Sequence, residues 1–425
     1  MPREEKNYFW IDWIQLFLIG LTAPLFLFPS MKYIWIFLII PGIWICRWII
    51  KRHFFERTLL DWAIVILSVQ VFATCIIVPD ISFSLPKIAG VILGLAFFYS
   101  IVALLVSEKL IRWGILAFLV SGFMLSVVGI LGISHDWSDM RFNKSIPEIV
   151  RNIIFKIAKI IPTIKWNLPG AEEGFNSNAI GGTIILIIPL CLILLIPYLR
   201  RKKGSYLISN RLLSIIFFFV ILFVTSCVLF LSISIGSWVG LFISICSIWI
   251  LLLSRKWKKW SLAVIFLSLA LIIIFNPGTN KSLSSSLKND IENREPLWVV
   301  GVNTARQHPF FGIGMNQIRQ TPSVSYEKSH VHNHLLHTAA ELGVPGLLSY
   351  LAILIGAGFM CFEIWRRSNI GWMKMTALGL GCGQLAHLIF GMGDSIPLGA
   401  KVGIFFWFSI ALIAAMYNYM LKSSK

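Results

Sequence analysis

An all-α polytopic membrane protein with about 12 transmembrane helices and a long, partly helical outer loop is the fold class the sequence predicts. Three observations predict it. Of 425 residues, 57% are hydrophobic and 13% charged, whereas soluble domains carry roughly 25% charged residues. Mean hydropathy is +0.81. Apolar runs close to the about 20 residues that cross a bilayer recur along the chain, separated by short basic connections. The net charge of +18 would suit nucleic acid, but the basic residues punctuate apolar runs as topology determinants do. No nucleic-acid partner is expected.

Twelve candidate spans fall near 10–28, 33–50, 59–78, 86–106, 111–133, 178–199, 211–231, 236–253, 260–276, 347–364, 373–392 and 402–420. Pro24, Pro29 and Pro41 interrupt the first two, which suits a tilted or broken hairpin. Met1-Pro2-Arg3-Glu4-Glu5-Lys6 is not followed by a small-residue cleavage site, so the first apolar run is expected to be retained. The domain organisation is then five N-terminal helices over 1–133, an outer loop over 134–177, four helices over 178–276, a large outer loop over 277–346 and three helices over 347–425. Seven cysteines lie in or beside apolar runs without paired spacing, as small buried hydrophobes do.

Lys and Arg orient the spans. One set of connections carries Arg47, Lys51, Arg52, Arg57, Lys109, Arg112, Arg200, Arg201, Arg211, Arg255, Arg366, Arg367 and Lys422, among others. The short connections on the opposite side carry only Lys32, Lys87 and Lys401. Both termini are expected on the basic, cytoplasmic side and both long loops outside. In the first outer loop, Ile146, Ile149, Val150, Ile153, Ile154, Ile157, Ile160 and Ile161 recur at helical spacing. They suit a helix lying on membrane lipids or packed on the protein's own loops.

The second outer loop holds the chemistry. A helical pattern from Arg294 and Trp298 to Gln307 leads into His308-Pro309-Phe310-Phe311-Gly312-Ile313-Gly314, where two glycines mark a special turn. His330, His332, His334 and His337, half of the chain's eight histidines, follow. The apolar pattern from Asn333 to Gly343 predicts a short helix with His332 and Asn333 at its start, where a neutral imidazole would serve as a general base. Gly343, Pro345 and Gly346 allow a bend into the next span. His330, His334 and His337 share a helical spacing that resembles a metal site. Only Glu341 joins them at ligand spacing, so no metal and no cofactor is expected. His334 and His337 are expected at the surface or in packing, and His387 with Gln384 in interhelical hydrogen bonds. No Walker loop, dinucleotide fingerprint or HExxH motif is present.

His332-Asn333, nine residues, Gly343, two residues and Gly346 resemble the signature of the O-antigen ligase family of membrane glycosyltransferases. His330, Arg294 with Trp298, His308-Pro309 with Gly312 and Gly314, and Asn178 opening a span are similar to that family's pattern. The resemblance covers roughly residues 175–360. It implies a metal-independent GT-C-type enzyme of the bacterial plasma membrane, with its active site on the outer, periplasmic face. Such an enzyme takes a glycan from an undecaprenyl-diphosphate-linked donor and passes it with inversion to an acceptor hydroxyl on a lipid or glycan, in the ligases that of lipid A-core. His332 would be the base, and Arg294, Arg319, His330, Asn333 and Asn178 would contact substrate. Gly343, Gly346, Gly312 and Gly314 would shape the motif. The sequence departs from the family at Ser234-Ile235-Gly236-Ser237-Trp238, where Ile235 stands in place of an arginine expected on the diphosphate. Arg294, Arg319 or Arg306 is the candidate substitute.

The same family includes polysaccharide polymerases and protein O-oligosaccharyltransferases. The polymerases' R-x10-G spacing is missing, since none of Arg141, Arg151, Arg294, Arg306 and Arg319 has a glycine eleven residues on. That favours a ligase. A transporter is the alternative of a different class, but no inverted repeat or mid-membrane charge cluster supports it.

Overall fold

A chain this apolar must satisfy its backbone polar groups within each segment, and helices do so. In the computed structural model, which describes residues 9–133, 175–201, 206–232, 234–252, 292, 294–321 and 330–423, the regular elements are helical. Among them α1 (Phe9–Leu27), a 3-10 segment (Met31–Leu38), α2 (Ile39–Lys51), α3 (Asp61–Ile77), α4 (Ile81–Leu104) and α5 (Glu108–Gly132) form the first half. Then follow α6 (Ser177–Ile184), α7 (Ile188–Leu199), α8 (Arg211–Ser232), α9 (Ile235–Leu252) and a helix over 294–307, here α10. The chain closes with α11 (His334–Arg367), α12 (Gly371–Gly393) and α13 (Ile404–Ser423).

Nine described helical segments are long and apolar enough to cross a membrane, and α3 and α9 are shorter apolar helices. The span expected near 260–276 and the amphipathic run within 134–177 lie outside the described residues. The expected hairpin over the first two spans is present, with Pro24 inside α1 and a 3-10 segment leading into α2. The α6–α7 span is broken between Ile184 and Ile188.

The main core joins α3, α4 and α5 to α7, α11, α12 and α13. Near its centre runs α13, with Phe406 to Met416 buried. The N-terminal hairpin has a smaller core of its own, Ile19, Phe26, Ile36 and Ile40 against Ala89, Leu93 and Ala96 of α4. Many of its large apolar side chains, such as Phe17 and Leu38, are exposed, as surfaces facing lipid are.

The two classes of connection separate at opposite ends of the helices. At one end Arg112 donates to the carbonyls of Tyr206 (3.0 Å) and Leu207 (2.5 Å), and Trp372 donates to Glu108 at 3.1 Å. Asn418 donates to the carbonyl of Arg57 there, at 2.9 Å. At the other end the start of α4, the start of α11 and the 394–403 connection come together, and we call this the site face.

The site face is assembled by the loop after α10. Met315 donates to Thr74 Oγ1 (3.3 Å), Asn316 to the Phe83 carbonyl (2.8 Å) and Gln317 to Ser84 Oγ (2.8 Å), strapping the loop to α3 and α4. On its other side Ile313 and Gly314 donate to the carbonyls of Ala340 and Glu341, both at 3.0 Å, and Val344 donates to that of Pro309 at 2.7 Å. Two backbones therefore cross in contact. A Cβ on Gly312 would lie 2.3 Å from the Glu341 carbonyl carbon, and one on Gly343 would lie 2.6 Å from that of Phe310. Both residues also have positive φ, +65° and +70°, which glycine adopts at little cost. The turn at 312–314 and the bend at Gly343 are thus one feature, two backbone segments packed directly against each other.

Candidate active site

Helix α11 begins where the sequence places it. Asn333 is its N-cap, accepting from the Leu336 N–H at 3.0 Å. Its amide donates to the Met392 carbonyl at 3.2 Å, tying the helix start to the end of α12. His332 stands just outside the helix in the left-handed region, φ +54°. Only a few per cent of non-glycine residues adopt that conformation, so the surroundings must hold it. They do so through Val331, which is buried against Trp298, Ile318, Ala340 and Leu336. With Val331 plugged into that pocket, the residues on either side turn toward α12.

Both neighbours meet Asp394. His330 Nε2 lies 3.0 Å and His332 Nδ1 3.1 Å from the same Asp394 Oδ1, which also accepts the Ser395 N–H at 2.7 Å. The carboxylate is 6% exposed, His330 14% and His332 23%. Burial would raise the pKa of Asp394, but the hydrogen bonds from His330 and His332 overcome it and hold the carboxyl well below its usual range. Burial pushes His330 down from its usual value, with Asp394 pulling the other way. The proton positions on the rings follow from this network. With Nδ1–H of His332 donated to Asp394, its Nε2 is the atom left to accept a proton.

Arg294, at the start of α10, donates from Nη1 to the carbonyl of Gly393, the residue before Asp394. A guanidinium is thereby placed beside the histidine pair, while Ile235 is an exposed residue at the start of α9. Arg319 is not at this point. It lies in a 3-10 turn, Gln317–Gln320, within electrostatic reach of Lys87. Arg306 is exposed on α10.

Other expected residues fall as follows. Asn178 lies inside the first turn of α6, and the residue that opens this helix is Asn176, whose side chain accepts from Ala179 N–H at 2.9 Å. Gly346 lies in the continuation of α11 beyond the Gly343 break. His334 and His337 are 6% and 3% exposed, so packing is right for them and surface is not. His330 precedes the helix, so its i, i+4, i+7 spacing with them does not put the three on one helix face. His337 instead pairs with Glu341 at 3.3 Å, and His387 Nδ1 bonds the Gly182 carbonyl at 2.9 Å while Gln384 donates to Ser409. Asp394 was missed. The available signal was one of 19 acidic residues standing in a short connection between two apolar runs.

His330, His332 and Asp394 also form a set whose ligand atoms all lie within 4.8 Å of one another, which can take a divalent cation. The contacts at 3.0–3.1 Å are hydrogen-bond distances, and they account for the arrangement as two histidines oriented by a carboxylate.

Fold and site together define a polytopic helical membrane protein with an oriented histidine at one end of its helices. The family model described as O-antigen ligase matches residues 220–351, the stretch that holds α10, the crossing loops and the His332–Gly346 spacing. The resemblance drawn from that spacing is borne out there, and it supports a membrane glycosyltransferase of ligase or polymerase type. Asp394 lies beyond the matched residues. Comparison with curated proteins finds no match.

Proposed function

We propose that the protein transfers a glycan from undecaprenyl diphosphate to an acceptor hydroxyl at the outer face of the bacterial plasma membrane, as an O-antigen ligase-like, inverting, metal-independent enzyme. The observation that carries this is His332, oriented by Asp394 through Nδ1 and beside Arg294, within the stretch that matches the family. His332 Nε2 removes the acceptor's hydroxyl proton as the oxygen attacks the anomeric carbon. The bond from that carbon to the diphosphate breaks, and the electron pair leaves with the phosphate oxygen. Asp394 stabilises the imidazolium as it forms, the role of the buried carboxylate in hydrolase triads. Arg294 faces the charge that develops on the leaving group and replaces the arginine that Ile235 displaces. His330, on the same carboxylate oxygen, contacts substrate at the rim.

The test is to incubate purified protein with undecaprenyl-diphosphate-linked glycan and candidate acceptors, with and without EDTA, and to identify the product and its anomeric configuration. An inverted glycoside on a separate acceptor, unchanged by EDTA and absent with His332→Ala, is expected. A lengthened glycan on the lipid carrier would reassign the protein as a polymerase. Activity lost in EDTA and restored by a divalent ion would reassign the His330–His332–Asp394 set to metal. The missing R-x10-G spacing favours the ligase outcome.

A further inference from the structure

The loop after α10 carries two phenylalanines that stand outside the core. Phe310 is 71% exposed, and Phe311 is exposed beside it. Their backbone is nevertheless held on two sides. The Val344 N–H of α11 donates to the Pro309 carbonyl at 2.7 Å. The Gln70 amide of α3, turned so that its nitrogen faces acceptors, donates to the carbonyls of Phe310 (3.1 Å) and Leu342 (3.2 Å). Folding thus fixes the main chain between two helices and leaves two aromatic rings exposed. A large apolar surface presented by a fixed backbone marks a contact with an apolar partner.

The neighbours of these rings say which partner. On α3, Val65, Ile66, Val69, Phe72 and Ile76 are exposed at helical spacing. On α11, Val344, Leu348, Ile355, Phe359 and Phe362 form a similar stripe along a helix long and apolar enough to cross a membrane. The two helices pack on each other, so Phe310 is seated where both stripes are within reach. Depth agrees. Gln70 lies seven residues before Ile77, the last residue of α3, which is about 10 Å along the axis. A loop bonded to Gln70 is therefore held below the end of that helix. Along the loop, exposed Arg306, Gln307 and His308 give way to exposed Phe310 and Phe311, the order of polar and apolar groups at a headgroup boundary.

We infer that Phe310 and Phe311 continue the exposed stripes of α3 and α11 as a docking surface for the acyl chains of a phospholipid, in the leaflet on the site face. The loop after α10 is seated in the edge of the bilayer and not suspended in water. The crossed segments at Gly312 and Gly343 then lie at the membrane boundary, which sets the depth of the helix start that carries His332.

Photocrosslinking tests this. p-Benzoylphenylalanine replaces Phe310, the protein is irradiated in native membranes, and its intact mass is read after purification. The same probe is placed at Leu348, on the α11 stripe, and at Glu295, exposed at the start of α10. Phospholipid adducts are expected with the probe at Phe310 as at Leu348, in about tenfold higher yield than at Glu295, where the probe meets water. If the Phe310 variant is not recovered from membranes, the probe at Phe311 carries the same expectation. A doubled mass would give the surface to a second copy, an adduct of polyprenyl mass to a lipid carrier, and an internal crosslink to the chain itself. Any of these in place of the phospholipid adduct, or a yield no higher than at Glu295, overturns the inference. The adduct is read without turnover, so its failure leaves the transferase reading untouched.

Discussion

Two buried charge clusters sit at opposite ends of the helices, and they are built differently. Away from the site face, Arg47 is 1% exposed and lies between Asp12 and Glu56, with Lys51 on the second oxygen of Asp12 at 2.6 Å. Gln15 extends the cluster to Ser100 at 2.7 Å. Two cations meet two carboxylates, which ties α1 to α2 and the turn after it. At the site face two imidazoles converge on one carboxylate oxygen, and the second ring nitrogen of His332 stays outside that pairing. The difference teaches what each cluster does. Closed pairing suits an anchor, whereas a partly open, oriented pair suits the base proposed above. Removing one member of the first should harm the fold, and removing one member of the second should harm the chemistry.

The sharpest way to break this contrast is Asp394→Asn. It removes the acceptor that sets the His332 ring but keeps the side chain's shape. Transfer is expected to fall by about 10²–10⁴, the range of a positioned general base, with the melting temperature little changed. A variant that melts far below the wild type while transferring normally per folded molecule would make Asp394 an anchor like Asp12. Next in size is Arg47→Ala, which removes the buried cation shared by Asp12 and Glu56 and leaves them only Lys51 and His53. Breaking a buried pair costs about 3–5 kcal/mol, so thermal stability in detergent should drop sharply. Transfer per folded molecule should stay near the wild-type value, and a selective loss of turnover would erase the distinction between the two ends.

Gly343→Ala comes third. It forces a Cβ against the Phe310 backbone at positive φ, with an expected cost of about 1–3 kcal/mol. Because the crossed loops carry both His332 and the α3–α4 straps, stability and transfer should fall together, and circular dichroism melts paired with turnover would reveal it. The smallest effect is on pH. Burial lowers the pKa of His330, so as pH falls below about 6.5 the unfolded chain takes up the proton first and stability declines. Asp394, depressed by its histidines, acts in the same direction: its contribution is present above about pH 4 and lost below that. His330→Gln should flatten the melting-temperature profile between about pH 6.5 and 5. An unchanged profile would mean that His330 does not titrate with folding.

Much of the site was legible because it is local. The start of α11 at Asn333, the bend at Gly343 and the special turn at Gly312 and Gly314 each follow from capping, backbone freedom and apolar spacing over a few residues. What the spacing does not contain is that Gly312 and Gly343 answer to the same crossing, with 31 positions between their numbers. For His334 and His337 the spacing left surface and packing open, and the structure decides for packing because their helix face turns into the bundle; amphipathic spacing does not say which neighbour covers a face. The residue opening α6 was placed two positions late, at Asn178 instead of Asn176, because both asparagines suit a helix start.

By itself the sequence determined the class of protein, the approximate spans, the separation of basic and polar connections, and the family signature with its candidate base. Those depend on composition and on order along the chain. Only the tertiary structure decided that His332 shares Asp394 with His330 and that Arg294 reaches Gly393. Each of these joins residues separated by tens to hundreds of positions. Their proximity is set by how α4, α11 and α12 pack and by the loop strapped between them, which no local pattern encodes.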